Sequence, residues 1–219
     1  MKVLNAKKIL LMLGLLLLPG PLFWLFAHKA IDSGTFFLSA LLSWGLLVAN
    51  LWDVQVQKKQ GALSLVGEAR ELMEKGQMHA AGNKLSEALK LDHGCFEVRV
   101  ARGELYSLER DYEKARRALV EALDIKKDSF RAHYALGTVY LNEQKIFEAI
   151  SEFRRTIQLK PDFSEAHFIL AQAYELTGEK DKALDAYKAF LEIAQSDMAP
   201  GQKMAKYIER AQERVKTLK

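Results

Sequence analysis

The sequence predicts an all-α protein with an N-terminal transmembrane helical hairpin, an α-solenoid of paired helices and a C-terminal capping helix. Three observations predict this order. Two long apolar stretches lie within positions 1–60, a periodic repeat fills most of the remaining chain, and an amphipathic segment lies after position 199. The domains expected are a membrane anchor at 1–60, repeats at 61–199 and a cap at 200–219.

The membrane anchor is predicted by two stretches that contain no charged residue, 9–27 and 33–52. At 1.5 Å per helical residue, each is long enough to cross about 30 Å of hydrocarbon. Only the short run HKAID separates them. So short a connection favours two antiparallel transmembrane helices that return the chain to the side on which it began.

Lysines flank the predicted hairpin on one side. Lys2, Lys7 and Lys8 precede the first stretch, and Lys58 and Lys59 follow the second. Because cytoplasmic segments are enriched in Lys and Arg, both termini and the repeats are expected in the cytoplasm. This pattern is typical of an integral protein of a bacterial inner membrane.

The first stretch also resembles a signal peptide, because a charged start precedes an apolar run and the breaker Pro19-Gly20-Pro21. No small-x-small cleavage motif follows closely, and membrane helices tolerate prolines where neighbouring groups satisfy the backbone. An uncleaved hairpin is therefore preferred, and cleavage of the first stretch remains the alternative. The second stretch would anchor the chain in either case.

A 34-residue period organises the chain from position 62 to position 197. One period before Gly137 lies Gly103, two periods before it lies Ala69, and one period after it lies Ala171, so every equivalent position holds a small residue. A second position is alanine in every unit, at Ala81, Ala115, Ala149 and Ala183. The register predicts four units without insertion, at 62–95, 96–129, 130–163 and 164–197.

Each unit is predicted to contain two helices. In the third unit, Leu136 and Val139 recur at helical spacing, the polar run NEQK interrupts, and Ile150 and Phe153 form a second apolar stripe. A glycine inside a helix costs helical propensity. We therefore interpret Gly137 as a contact point at which the second helix approaches the first closely.

The combination of a small residue, Tyr, Ala, an aromatic residue and Pro resembles the tetratricopeptide repeat (TPR) family. In the third unit these residues are Gly137, Tyr140, Ala149, Phe153 and Pro161. The resemblance covers residues 62–197 and implies a TPR-like α-solenoid.

In the TPR family, the first helices of successive repeats line a concave groove that receives an extended peptide or an amphipathic helix. Carried over position by position, the resemblance implies a partner-binding groove made of Val100, Glu104, Tyr134, Thr138, Leu141, Phe168, Gln172 and Glu175. Tyr134 and Phe168 are expected to stand exposed on its wall as anchors. The alternative is that both pack inside the solenoid.

Some TPR domains hold acidic C-terminal peptides of chaperones through a clamp of Lys, Asn and Arg. The corresponding positions here are Val66, Arg70, Ala101, Arg131 and Ala135. Because only the two arginines suit a carboxylate, the resemblance favours an apolar or mixed partner segment over a chaperone tail.

The segment after Pro200 places its apolar residues on one helical face. These residues are Met204, Tyr207, Ile208, Ala211, Val215 and Leu218. A terminal repeat leaves an apolar face uncovered, so this helix is predicted to cap it. The alternative is a basic amphipathic helix that binds a membrane surface or an acidic partner.

Catalysis, cofactors, metals and nucleic acid are not expected. The sequence contains no His-Glu-x-x-His pair, glycine-rich phosphate loop or Gly-x-Ser-x-Gly turn. His133 and His167 are one period apart, and we interpret them as packing residues rather than metal ligands. Six Lys and two Asp within 1–60 account for the whole formal charge of +4, so residues 61–219 sum to zero, and apart from the terminal helix they show no nucleic-acid face. The lone Cys95 excludes an intrachain disulfide.

The sequence therefore predicts a membrane-tethered TPR adaptor or assembly factor, with the lipid bilayer and the proteins of a membrane complex as its partners. The alternative is a structural subunit whose hairpin packs among the helices of a larger membrane complex. Small residues in the second stretch, Ser39, Ala40, Ser43 and Gly45, would permit such packing.

Overall fold

A computed structural model describes residues 34–194 and 202–218 of the chain, with side chains from 44 to 194 and from 204 to 218. The predicted membrane stretch 9–27 lies outside these residues. Within them the chain forms helices α1 (Gly34–Glu74), α2 (Met78–Leu91), α3 (Phe96–Leu108), α4 (Tyr112–Ile125), α5 (Phe130–Asn142), α6 (Ile146–Leu159), α7 (Ser164–Leu176), α8 (Lys180–Ala194) and α9 (Gln202–Leu218).

Helix α1 runs through the predicted linker 53–60 and past Gly61 without a break. By its contacts the chain divides into two compact units, one ending at Val56 and the next beginning at Gln57. Among the described residues, no helix is both long and apolar enough to cross a membrane. The described residues therefore do not confirm the predicted hairpin, whose second stretch is described with side chains only from Trp44 onward.

The repeats are pairs of helices, with α3 and α4, α5 and α6, and α7 and α8 forming the second, third and fourth units. A Cβ atom added to Gly103 would lie 2.5 Å from Cγ of Leu119, and one added to Gly137 would lie 2.8 Å from Cε1 of Phe153. Both partners are on the second helix of the same unit and are fully buried. The interpretation of these glycines as contact points is confirmed.

The turn between the paired helices has one conformation throughout the array. Gly76, Arg110, Gln144 and Gly178 follow one another at intervals of one period and have φ angles of 75°, 62°, 61° and 78°. This left-handed region suits glycine and strains other residues. The second and third units thus adopt it with side chains that disfavour it.

Side-chain caps are present at the start of α4 and at the start of α5. The carboxylate of Asp111 accepts a hydrogen bond from the backbone N–H of Lys114 at the start of α4. The hydroxyl of Ser129 accepts one from the N–H of Ala132 at the start of α5. Such caps satisfy donors that a helix leaves unpaired at its first turn.

Helix α9 covers the end of the array. Ala211 is fully buried in the core that also contains Phe168, Tyr187 and Phe190 of the fourth unit. The other predicted apolar residues of α9 pack against the same core, namely Met204, Tyr207, Ile208, Val215 and Leu218. The predicted apolar face of the cap is confirmed.

Candidate partner-binding groove

The predicted groove residues lie on the first helices of three successive units. Helix α3 carries Val100 and Glu104, α5 carries Tyr134, Thr138 and Leu141, and α7 carries Phe168, Gln172 and Glu175. Residues spaced by three or four positions share one side of a helix. The predicted residues therefore share one side of each helix, and their burial differs from helix to helix.

At the α3 end, the predicted residues are already engaged. Nε of Arg70 donates to Oε2 of Glu104 at 3.0 Å, and Nη2 donates to Oε1 at 3.3 Å. This two-point ion pair joins the first helices of units one and two at the same repeat position. Val100 is only 1% exposed and belongs to the core with Leu136 and Val139, so its expected place on the groove wall is wrong.

At the α7 end, helix α9 covers the predicted anchor. Phe168 is 2% exposed, and the Tyr207 ring stacks on it with centroids 4.5 Å apart and planes 18° from parallel. The expectation that Phe168 is exposed is therefore wrong, because an aromatic ring of α9 lies over it. Phe168 instead packs within the solenoid, which was the alternative.

Glu175 is held by the same helix. Both nitrogens Nε and Nη2 of Arg214 donate to its carboxylate, the first at 3.1 Å. Burial raises the pKa of Glu175, but hydrogen bonds from Arg214 and Tyr187, together with the charges of Arg214 and Arg210, lower it overall. Glu175 is thus a charged partner of α9 as well as a predicted groove residue.

The middle of the groove, on α5, is the most open part. Tyr134 is half-buried, with its ring edge-on to Phe163 at 5.0 Å and tilted against Phe153 at 5.8 Å. Burial raises the pKa of the Tyr134 hydroxyl. Thr138 donates its hydroxyl hydrogen bond to the Tyr134 carbonyl at 2.9 Å, and Thr138 and Leu141 remain partly exposed.

Two exposed leucines on the same helices were not predicted from the sequence. Leu108 is 55% exposed at the end of α3, and Leu176 is 68% exposed at the end of α7. Each follows a predicted groove residue, Glu104 or Gln172, by four positions and so lies on the same side of its helix. The signal was present, since the two leucines are two whole periods apart.

The two period-related histidines are packing residues in the structure. Nε2 of His133 hydrogen-bonds to the Lys127 carbonyl at 3.0 Å, and Nε2 of His167 to the Pro161 carbonyl at 2.8 Å. Each thereby ties a first helix to the turn before it. His133 has a second partner, because its Nδ1 lies 2.6 Å from Oε2 of Glu152 on α6, and this contact raises its pKa.

Comparison with known proteins gives a family match and several structural matches. Residues 103–162 and 134–198 match the family model described as tetratricopeptide repeat. No curated protein sequence matches the chain.

Three solved structures illustrate the structural match. The first TPR domain of human RPAP3 superimposes with a TM-score of 0.52 at 19% identity, covering 56% of this chain and 97% of that one. The MamA RS-1 ArsTM double mutant gives 0.54 at 16% identity, covering 72% and 96%. A mutant of Thermobaculum terrenum O-GlcNAc transferase gives 0.57 at 20% identity, covering 64% of this chain and 26% of the transferase.

A further structure holds the first TPR of RPAP3 bound to the HSP90 peptide SRMEEVD, with a TM-score of 0.52, 19% identity and coverage of 55% and 98%. At these identities the likeness shows a common fold.

Proposed function

The repeated part of the chain belongs to the tetratricopeptide repeat family, and on that premise we propose that the protein is an adaptor or assembly factor that recruits protein partners through its groove. One observation carries the proposal. The first helices of three units carry the predicted groove residues on one side, and on α5 that side keeps Tyr134, Thr138 and Leu141 partly exposed. Leu108 and Leu176 extend this side at its rim.

The chemistry of the open part indicates the kind of segment that it binds. Glu104 and Glu175 are already paired with arginines of this chain, which leaves uncharged side chains between them. The RPAP3 domain binds an acidic HSP90 peptide, but here Arg70 is occupied by Glu104. An apolar or mixed peptide, or an amphipathic helix, suits this groove better than an acidic tail.

Tethering at a membrane is the second part of the proposal. Its support is the pair of uncharged stretches 9–27 and 33–52, with lysines on one side. Large apolar side chains also stand exposed on α1, namely Trp44, Leu46, Leu47, Val48, Leu51, Trp52, Val54 and Val56. An apolar surface of this extent is unfavourable in water and typical of membrane or protein contact. A protease added outside intact spheroplasts should leave the repeats intact, and their digestion would overturn this topology.

A double substitution tests the groove, and it uses residues that other repeats of this chain already carry at the same positions. Thr138→Glu and Leu141→Glu introduce the residues that neighbouring units carry at the equivalent positions, Glu104 and Glu175. Val120→Arg is the control, because Val120 is 45% exposed on the second helix α4 and its equivalent on α6 is already arginine.

The experiment identifies the partner proteins that the tagged protein captures in gentle detergent, with the full chain and with a chain that lacks residues 1–60. We expect partners common to both chains to be lost in the double variant and kept by the control. Undiminished capture by the double variant would remove the groove from recognition. Partners seen only with residues 1–60 present would favour the structural-subunit alternative.

A further inference from the structure

Helix α6, the second helix of the third unit, has a shallow and open depression of about 300 Å³ along one side. The described residues that line it are Phe147, Ile150, Ser151, Arg154, Arg155 and Gln158, which we call the α6 face. Their spacing places all six on one side of the helix. The groove residues all lie on first helices, so the α6 face is a separate surface.

The apolar part of the α6 face is unusual within this repeat array. Phe147 is 73% exposed, whereas Ile150 is only 8% exposed and forms the floor beside it. At the positions equivalent to Phe147, the second and fourth units carry Glu113 and Asp181. An exposed ring beside a buried isoleucine provides an apolar contact that a single scattered side chain does not.

The charged part of the α6 face is basic. Nη2 of Arg155 donates to Oδ1 of Asp128 at 2.6 Å, whereas Arg154 forms no ion pair with any residue that the structure describes. Arg154 and Arg155 are the charged residues of the α6 face, and none of the described residues lining the depression is acidic.

We propose that the α6 face docks an acidic amphipathic segment of a partner protein, which places an apolar side chain against Phe147 and a carboxylate against Arg154. The helix rises by about 10 Å, or two turns, between these two positions. Side chains about two turns apart on a partner helix can therefore contact the ring and the guanidinium at the same time. Arginine and aromatic residues are the side chains that most often anchor such contacts.

A protein segment fits this surface better than a lipid surface. A depression with Ile150 at its floor admits a protruding side chain, whereas a bilayer is flat on this scale. The basic charge complements anionic groups on a protein or on a lipid surface, and binding to vesicles separates the two.

The probe is a fluorescent helical peptide with leucines on one side and glutamates beside them, and its binding to the full chain in detergent is followed by anisotropy. The same peptide with glutamine in place of glutamate tests the role of charge. Arg154→Glu removes the guanidinium, and Phe147→Ala removes the ring. Lys188→Glu is the matched control, because Lys188 occupies the position of Arg154 on α8 and makes the same change of charge.

We expect Arg154→Glu and Phe147→Ala each to weaken binding of the acidic probe by about ten-fold or more. Lys188→Glu should change it by less than about two-fold, and the glutamine peptide should bind the unaltered protein about ten-fold more weakly. Helicity measured by circular dichroism should be equal in all variants, since Phe147 and Arg154 are exposed.

Four results would overturn the proposal. The first is failure of the unaltered protein to bind the acidic probe, and the second is equal weakening by Lys188→Glu. The third is loss of probe binding in the Thr138→Glu, Leu141→Glu variant, which would place the probe in the groove instead. The fourth is that Phe147→Ala weakens binding to vesicles of phosphatidylcholine and phosphatidylserine but leaves binding of the probe unchanged. That result would make the α6 face a lipid contact.

Discussion

The close contact between paired helices can be measured with three glycine-to-alanine substitutions. Inside a helix this change raises the free energy of unfolding by about 1 kcal/mol through propensity alone. At Gly67 on α1, an added Cβ would meet nothing within 4 Å. At Gly103 it would lie 2.5 Å from Cγ and 2.7 Å from Cδ2 of Leu119, and overpacking of a filled core costs about 1–3 kcal/mol.

Gly67→Ala should therefore stabilise the protein by about 1 kcal/mol. The free energies of unfolding of the Gly103→Ala and Gly137→Ala variants should be about 1–3 kcal/mol lower than that of the Gly67→Ala variant. Urea denaturation of the full chain in detergent, followed by circular dichroism, gives the three values under identical conditions. Propensity is common to all three substitutions, so the difference isolates the contact between the helices.

A second background checks the assignment of the contact. Leu119→Ala removes the atoms that the new methyl group would meet, so Gly103→Ala should cost less in that background than alone. If Gly103→Ala stabilises the protein as much as Gly67→Ala does, the reasoning about helix approach is refuted.

Three further predictions concern single side chains. Tyr207→Ala should lower the free energy of unfolding by about 1–3 kcal/mol, because it removes a partly buried ring stacked on buried Phe168, and thermal unfolding would measure the loss. The hydrogen bond to Glu152 raises the pKa of His133, so protonated His133 stabilises the fold. This stabilisation is fully present below the ordinary histidine pKa of 6.5 and is lost as the pH rises through the raised pKa. Urea titrations at several pH values should show this loss in the unaltered protein and a smaller one in Glu152→Gln. Cys95 is 2% exposed and burial raises the pKa of its thiol, so a thiol reagent should label the native protein slowly and the urea-unfolded protein fast.

The repeat register was predictable from sequence because it depends on side-chain size at fixed intervals. Gly137 and Phe153 are in contact within one unit, and the same pair of sizes recurs at Gly103 and Leu119. Contacts inside a repeated unit are copied with it. The groove residues were implied by the resemblance to the TPR family, carried over position by position, and they stay a prediction.

The exposure of individual groove residues was not predictable in this way. Phe168 is covered by Tyr207, which does not lie a whole number of periods away and therefore has no counterpart in the other units. Glu104 is engaged by Arg70 because these two units happen to carry opposite charges at one repeat position. Burial at the ends of the array thus depends on residues that break the repetition, and a periodic argument does not include them.

The four turns between paired helices show how mechanical strain is distributed along the chain. Arg110 and Gln144 hold left-handed angles at a cost of about 1–2 kcal/mol each relative to glycine, whereas Gly76 and Gly178 hold them without that cost. The turns with glycine belong to the outermost repeats, and the turns with Arg110 and Gln144 belong to the two inner repeats. In a linear array an inner repeat is braced by neighbours on both sides. The strained backbone turns therefore lie in the repeats that have neighbours on both sides, and the unstrained turns lie in the outermost repeats.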